Sequence, residues 1–492
     1  MPRPTENNET QSRRRWLALY VLCAGVLMIV LDATIVNVAL PSIKRSLGFT
    51  ESTLAWVVNA YLIAFGGLLL LAGRLGDLVG QRRIFLIGLA VFTSASTLCA
   101  LAPSQGMLIA GRFIQGAGGA LTSAVILGMI VTMFPEPREQ AKAIGVYGFV
   151  ASAGGSIGLL AGGALTQAIN WHWIFIVNVP VGILTALLAV RLVEERAGLG
   201  LRHGADLAGA GLLTSGLMLG VYTILQAGAN GWGSVRTLAI GSVSIVLLVA
   251  FVVRQGHVPN PLMPLRLFRS RALAGANGIQ ALVVAGMFGM FFLGALYLQQ
   301  ILGYDALEVG LAFLPSTLAM GTMSLRFSGP LTMRFGPSAT LIPSLLAIIA
   351  GLLLFARTPV HASYVRDLLP ATILIGLGAG LGFPSLMTLA MSSTAPADSG
   401  LASGLVNTSV QVGGAVGLAA LAAIASARTH GQLAHGVSTA AALNSGYHLA
   451  YLIGAALVLV AVAAGLTVLR PSSRRTRHAA HCEPEPAYAS AR

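Results

Sequence analysis

Asp32 is an acid about halfway along an apolar run from Leu17 to Leu40. That run is long enough to cross a bilayer as a helix. A carboxylate at such depth costs about 2.5–3.5 kcal/mol on insertion scales, so chains keep one there chiefly for function. No other clear apolar run carries an acid near its middle. One buried titratable group among many spans suggests proton or cation coupling. A second charged residue, Arg112, lies about six residues into the fourth run, with Gln115 and Gly116 on the same helical face. An arginine stays charged in apolar surroundings and needs a partner or a polar cavity. Two readings follow: Arg112 sets the protonation of Asp32, directly or through water, or it snorkels to backbone carbonyls near an interface. Burial disfavours a charged carboxylate and a nearby cation favours it. A site that alternates between those surroundings can take up a proton on one side and release it on the other; the alternative is a structural acid neutralised by hydrogen bonds.

Three further patterns bear on movement and passage. The segment Gly73 to Arg83, GRLGDLVGQRR, reads as a short loop between two runs. Gly73, Gly76 and Gly80 permit tight turning there, and Asp77 is placed to accept bonds from a helix N-terminus or an arginine; the alternative is an ordinary basic cytoplasmic turn. The fifth run carries Gly145, Gly154, Gly158, Gly162 and Gly163. Gly154, Gly158 and Gly162 are four apart and form one smooth stripe against which another helix can lie closely. Asn37, Asn59, Tyr61, Gln115, Gln280 and Asn407, with Asn178, Asn277, Gln299 and Gln411, put sparse amides and hydroxyls into otherwise apolar runs. Each alone reads as an interhelical hydrogen bond; together they suit a path for hydrophobic or amphipathic molecules and not for sugars or phosphates.

The elements that must position these residues are helices. The 492 residues are 55% hydrophobic and 9% charged, with a mean hydropathy of +0.80, which excludes an ordinary soluble domain. Roughly fourteen runs reach spanning length, and none shows the ten-residue alternation of barrel strands. The net charge of +14 invites a nucleic-acid reading, but its distribution argues for a membrane. With the N-terminus inside, most Lys and Arg residues fall on the inner face, among them Arg13 to Arg15, Arg82, Arg83, Arg266, Arg269, Arg271 and Arg474 to Arg477. The expected protein is multi-pass in the cell membrane with both termini cytoplasmic. Arg14 and Arg15 precede a run too long for a signal peptide and without a small-residue cleavage site. Cys23 and Cys99 read as small apolar fillers. Cys482, near His478 and His481, reads as part of a polar tail and not as a metal site.

The chain is expected to divide into a cytoplasmic tail (1–15), a six-helix half (16–193), two inserted spans with cytoplasmic linkers (194–271), a second six-helix half (272–469) and a disordered cytoplasmic tail (470–492). The halves carry a faint repeat. Gly73, Leu75 and Gly80 match Gly329, Leu331 and Gly336 in spacing, whereas Met333 stands for Asp77 and Leu368 for Arg112. Proton handling is therefore expected in the first half. Neither lysine, Lys44 or Lys142, lies in a P-loop, which excludes ATP-driven transport by this chain alone, and no catalytic signature is present. The reading is of a chain that is no enzyme and needs no cofactor or metal.

Gly73 to Arg83 resembles the loop between spans two and three of the major facilitator superfamily, G-x-L-x-D-x-x-G followed by two basic residues, with Gln81 at the first basic position. LDATIVNVALP (Leu31 to Pro41), RFIQG (Arg112 to Gly116), WHWIFIVNVPVG (Trp171 to Gly182), PLMPLRLFRSR (Pro261 to Arg271) and GLASGLVNTSVQVGGAVG (Gly400 to Gly417) resemble, in order, segments of its fourteen-span drug:proton antiporters (the EmrB/QacA type). The fifth-run glycines resemble that group's motif G-x8-G-x3-G-P-x2-G-G, with Leu159 in place of proline. His172 stands where an arginine is usual. The resemblance implies an all-α major facilitator fold of two six-helix halves plus two inserted helices. It implies proton-coupled export of lipophilic or cationic drugs by alternating access, with Asp32 as coupling acid, Arg112 as its modulator, and Gly73, Asp77, Gly80 and Arg82 as a cytoplasmic latch. A dedicated exporter of a metabolite, self-made antibiotic or lipid would share the fold. The implied partners are a lipophilic small molecule, protons and the bilayer, with no nucleic acid; accessory envelope proteins leave no mark in the chain.

Overall fold

The computed structural model describes residues 6–195, 198, 200, 204–231, 233–391 and 399–468. The expected tail 470–492, with Cys482, lies outside them. The described chain is helical: α1 (Glu6–Leu47), α2 (Glu51–Val79), α3 (Gln81–Ala100), α4 (Gln105–Met133), α5 (Pro137–Ala168), α6 (Trp173–Ile176), α7 (Asn178–Leu192), α8 (Leu207–Asn230) and α9 (Val235–His257) come first. Then follow α10 (Arg271–Gln300), α11 (Ala306–Thr322), α12 (Ser328–Phe335), α13 (Pro337–Phe355), α14 (Leu369–Met391), α15 (Ser399–Ala434) and α16 (Thr439–Val468). Wider π-type turns, Met323–Phe327 and Tyr364–Leu368, join α11 to α12 and lead into α14.

Among the described residues, thirteen stretches are long and apolar enough to cross a membrane, with α6–α7 and α11–α12 each making one continuous stretch. The 32-residue α5 carries a shorter apolar stretch, Ile157–Ala168. Polar caps start several helices where the chain turns. Thr50 and Thr53 form a reciprocal box at α2, Asp305 and Glu308 another at α11, and Ser104 caps α4. α1 begins at Glu6 and continues through Pro41 to Leu47, so the helix of the first span already starts within residues 1–15, expected as a cytoplasmic tail.

The repeat has a backbone counterpart. Gly80 turns the chain from α2 into α3 at φ 111°, and Gly336 turns it from α12 into α13 at φ 85°. Both conformations favour glycine. Each closes the preceding helix in the same register: the Gly80 N–H donates to Gly76 O at 3.0 Å, the Gly336 N–H to Thr332 O at 2.9 Å. The expected loop from Gly73 is therefore corrected. Gly73 to Val79 are the last turns of α2, because nothing before Gly80 breaks the helix, and Gly80 alone makes the turn.

Helices of the first half meet those of the second along α2 with α15 and α5 with α11. A span-length stretch of α2 is 89% buried, against 17% for α9, so α2 is central and α9 peripheral. α8 touches α2 and α15, one helix from each half, while α9 lies on α8 and exposes Ile245, Val246, Val249 and Val253. The two are tied by a buried polar knot. Asp206 caps α8 by accepting from the Gly209 N–H at 2.8 Å, and it also accepts from Arg254 Nε at 2.7 Å and Gln255 Nε2 at 2.8 Å. Burial alone would push the Asp206 carboxyl up, but those bonds outweigh it and hold it below the usual carboxylate range.

Candidate functional site

Asp32 points from α1 into a cluster made by five other helices of the first half. Asp32, Ser96, Arg112, Gln115 and Asn178 are each at most 1% exposed. Arg112, on α4, donates from Nη1 to Asp32 Oδ2 at 2.6 Å and from Nε to the Val57 carbonyl of α2 at 2.9 Å. Its Nη1 also donates to Gln115 Oε1 at 2.7 Å, one turn along α4. The other carboxylate oxygen, Oδ1, accepts from Gln115 Nε2 at 2.8 Å and from Asn178 Nδ2, at the start of α7, at 3.0 Å. Ser96, on α3, joins the pieces: its Oγ accepts from Gln115 and Asn178, both at 3.1 Å, and donates to the Phe175 carbonyl of α6 at 2.9 Å.

Aromatic faces close the site. The Arg112 guanidinium lies 4.3 Å from the Tyr61 ring centre and 5.8 Å from that of Phe175. α4 comes this near α2 because residue 116 is glycine; a Cβ there would strike the Tyr61 carbonyl. The arrangement neutralises a buried charge, satisfies both carboxylate oxygens and gives the guanidinium acceptors besides Asp32. If Asp32 takes a proton, the Val57 carbonyl, Gln115 Oε1 and the Tyr61 face still hold Arg112. The snorkelling alternative is thereby set aside: Arg112 bonds a carbonyl, but deep in the bundle and with Asp32 as its ionic partner.

The glycine stripe backs the same helix. A Cβ at Gly154 would meet Leu27 and Val30 of α1; at Gly158, Leu31 and Thr34; at Gly162, Ile35. α5 therefore lies on a different face of α1 from the one that carries Asp32. Gly163 and Leu159 turn to the other half, where Gly163 faces Ala306 and Leu307, and the Leu159 carbonyl lies 2.6 Å from where a Cβ on Gly310 would be. With leucine at the motif's proline position, α5 runs as one helix from Pro137 to Ala168. Gly145 lies in α5, outside the residues whose surroundings are described.

Other expected site residues stand apart. Arg82 holds the start of α3 to the end of α7, donating to the Val190 carbonyl at 2.5 Å and pairing with Glu195 at 3.7 Å; Arg83 also pairs with Glu195. These contacts run within the first half and to the linker that follows it. Asp77 is exposed and makes no hydrogen bond among the described residues, Gly73 faces open space, and the Gly80 corner is covered by Gly198 and Gly200 of the following linker. Asn37 bonds its own helix at Ala33 O, 3.1 Å away. Asn59 is fully buried with neither amide atom partnered among the described residues, Gln280 is buried on α10, and Asn407 is exposed on α15. His172 stacks on Trp171 at 3.7 Å, and burial lowers its pKa, which favours a neutral ring. Ser96 and the Val57 and Phe175 carbonyls were not legible in the sequence: a serine in an apolar run is ordinary, and a carbonyl has no sequence signature.

Residues 22–418 match the model of the Major Facilitator Superfamily. The chain belongs to that superfamily. As a Major Facilitator protein it is similar to the puromycin resistance protein pur8 of Streptomyces alboniger, with 40% identity over 92% of each chain. It is 37% identical to the cephamycin export protein CmcT of Amycolatopsis lactamdurans over 93% of each. It is 34% identical to the multidrug resistance protein Stp of Mycobacterium tuberculosis (strain CDC 1551 / Oshkosh), over 85% of this chain and 77% of that one. The superfamily fold also appears in the likeness to a solved bacterial homologue of the human lysosomal transporter Spinster, with TM-score 0.66 and 17% identity over 93% of this chain and 97% of that one.

Proposed function

We propose that this chain is a proton-driven exporter of lipophilic drugs and toxic small molecules, working by alternating access in the cell membrane with both termini in the cytoplasm. The observation that carries the reading is the Asp32–Arg112 pair, a proton-binding group at mid-span depth whose cation stays held when the acid is neutral. An incoming proton on Asp32 breaks the ion pair and leaves the cluster with one positive charge. Asn178 and Ser96 link the carboxylate to α6 and α7, and the glycine stripe seats the acid's own helix on α5, so a change at Asp32 reaches helices around it. A proton crossing 100 mV supplies about 2.3 kcal/mol. Since about 1.4 kcal/mol is a factor of ten, this supports a drug gradient of some tens-fold before any pH difference is added.

The relatives' names support export of antibiotics and related compounds. Some of them also support a second reading, a dedicated exporter of one metabolite, since the cephamycin protein and the tetracenomycin C resistance and export protein of Streptomyces glaucescens are each named for one compound. The basic residues grouped on the N-terminal side favour a cytoplasmic location for both ends. Expression in a drug-sensitive host tests the proposal. A several-fold rise in tolerance to lipophilic antibiotics, with lower cellular accumulation that a protonophore reverses, is expected. Unchanged accumulation across a broad panel would point to the dedicated reading, and accumulation lowered regardless of protonophore would refute proton drive.

A further inference from the structure

We infer that the transported species is uncharged, so that its exchange for a proton moves net charge across the membrane. The inference rests on the export reading and narrows it, because drug exporters of this fold could as well carry cations. A cation in a low-dielectric path needs a carboxylate or free aromatic faces as its counterpart. At the Asp32 site both are already used by the protein's own cation. Asp32 Oδ2 is taken by Arg112 and Oδ1 by Gln115 and Asn178. The Tyr61 and Phe175 rings face the same guanidinium.

Protonation does not change this. With Asp32 ionised, the pair has no net charge; with Asp32 neutral, Arg112 leaves the cluster at plus one. The cluster alternates between zero and positive and in neither state offers a negative charge. Among the described residues the other acids cannot compensate, because they sit near helix ends or in connections: Asp77 near the end of α2, Glu136 and Glu139 at the start of α5, Glu194 and Glu195 after α7, Asp206 at the start of α8, Asp305 and Glu308 at the start of α11, and Asp367 ahead of α14. His448, inside α16, can only be neutral or positive, and its Nε2 lies 2.7 Å from the Thr358 carbonyl. The polar groups that do lie in the spans, such as Asn59, Gln280 and Thr408, offer hydrogen bonds without charge. That chemistry suits an amphipathic molecule with carbonyl, hydroxyl or amide groups.

The test uses the full chain in lipid nanodiscs and proteoliposomes, with matched pairs of dansyl, coumarin and acridone amides that end in a butyl or a trimethylammonium-butyl tail. The uncharged members are expected to bind about tenfold or more tighter than the quaternary ones. Their flux is expected to respond to a valinomycin-set potential at equal pH on both sides. Binding of the quaternary members within about threefold of the uncharged ones, binding of no uncharged member, or flux indifferent to potential overturns the inference. Uncharged members that bind but show no protonophore-sensitive flux overturn the export reading and leave the charge preference standing. Arg112→Gln, which frees Asp32 as a carboxylate, is expected to move the preference towards the quaternary members. Arg112→Lys keeps the charge and the original preference, and a shift with both variants also contradicts the inference.

Discussion

Asp32 and Arg112 are separated by eighty positions in sequence and meet at 2.6 Å with almost no exposure. Such a pair is weak evidence for stability, but breaking it by removing one partner is costly, about 3–5 kcal/mol. Asp32→Ala is therefore expected to reduce the amount of folded protein in the membrane, whereas Asp32→Asn keeps an acceptor for Arg112 and is expected to fold. Arg112→Lys keeps the charge but loses the fork that reaches Asp32 Oδ2 and the Val57 carbonyl together. Transport is expected to fall about tenfold or more in that variant at near-normal expression, read as drug accumulation per unit of protein; full activity would mean that the fork does not matter. Asp32 was legible in the sequence because an acid in the middle of an apolar run costs too much to persist without a use. Arg112 was legible as a charge that needs a partner, but its choice between Asp32 and backbone carbonyls was open until the helices were placed. Ser96 was not legible at all, since its role depends on donors from α4 and α7 and an acceptor from α6.

At the scale of elements, the glycines of α5 differ by what faces them. A Cβ on Gly158 would lie 2.9 Å from the Leu31 carbonyl oxygen of α1, while nothing lies within 4 Å of one on Gly155. Gly158→Val is expected to push α5 off α1, costing about 1–3 kcal/mol and most of the transport. Gly155→Ala, in open space, is expected to be neutral or to stabilise by about 0.5–1 kcal/mol through helix propensity. Thermal unfolding in detergent separates the two; equal effects would contradict the facing assigned to the stripe. The inserted pair makes a pH-dependent case. Asp206 has its carboxyl held low in the folded chain, so its contribution is present above the unfolded carboxylate range near pH 4 and is lost as pH falls through the lower folded value. Asp206→Asn is expected to lower the melting temperature at pH 7 and to converge with wild type in strong acid. A constant difference across pH would remove the ionic account of that knot. The stripe's spacing was readable from the sequence, but not its partner. The Asp206 knot escaped because its acid sits at a helix end, where acids are common.

At the scale of the molecule, the halves touch near one face of the bundle through side chains that must part if that face is to open. Gln167 of α5 donates to Asp305 of α11 at 2.8 Å, and Gln299 of α10 donates to the Val38 carbonyl of α1 at 3.1 Å. A short thiol cross-linker between Gln167→Cys and Asp305→Cys is expected to stop transport, and a cleavable linker to restore it on reduction. Transport that continues while the link is intact would contradict alternation at this face. The two-half plan was readable in the sequence because hydropathy counts spans and the glycine turns at Gly80 and Gly336 repeat. The position of α8 across both halves was not, since an apolar helix shows no sign of which neighbours it will meet. Proton coupling through Asp32 is measured most directly by a pH-sensitive dye inside proteoliposomes loaded with an exported drug, with wild type and Asp32→Asn compared at matched protein. Drug-dependent proton movement is expected for wild type and none for Asp32→Asn, although that variant still binds the drug. Equal proton movement in both would contradict coupling through Asp32.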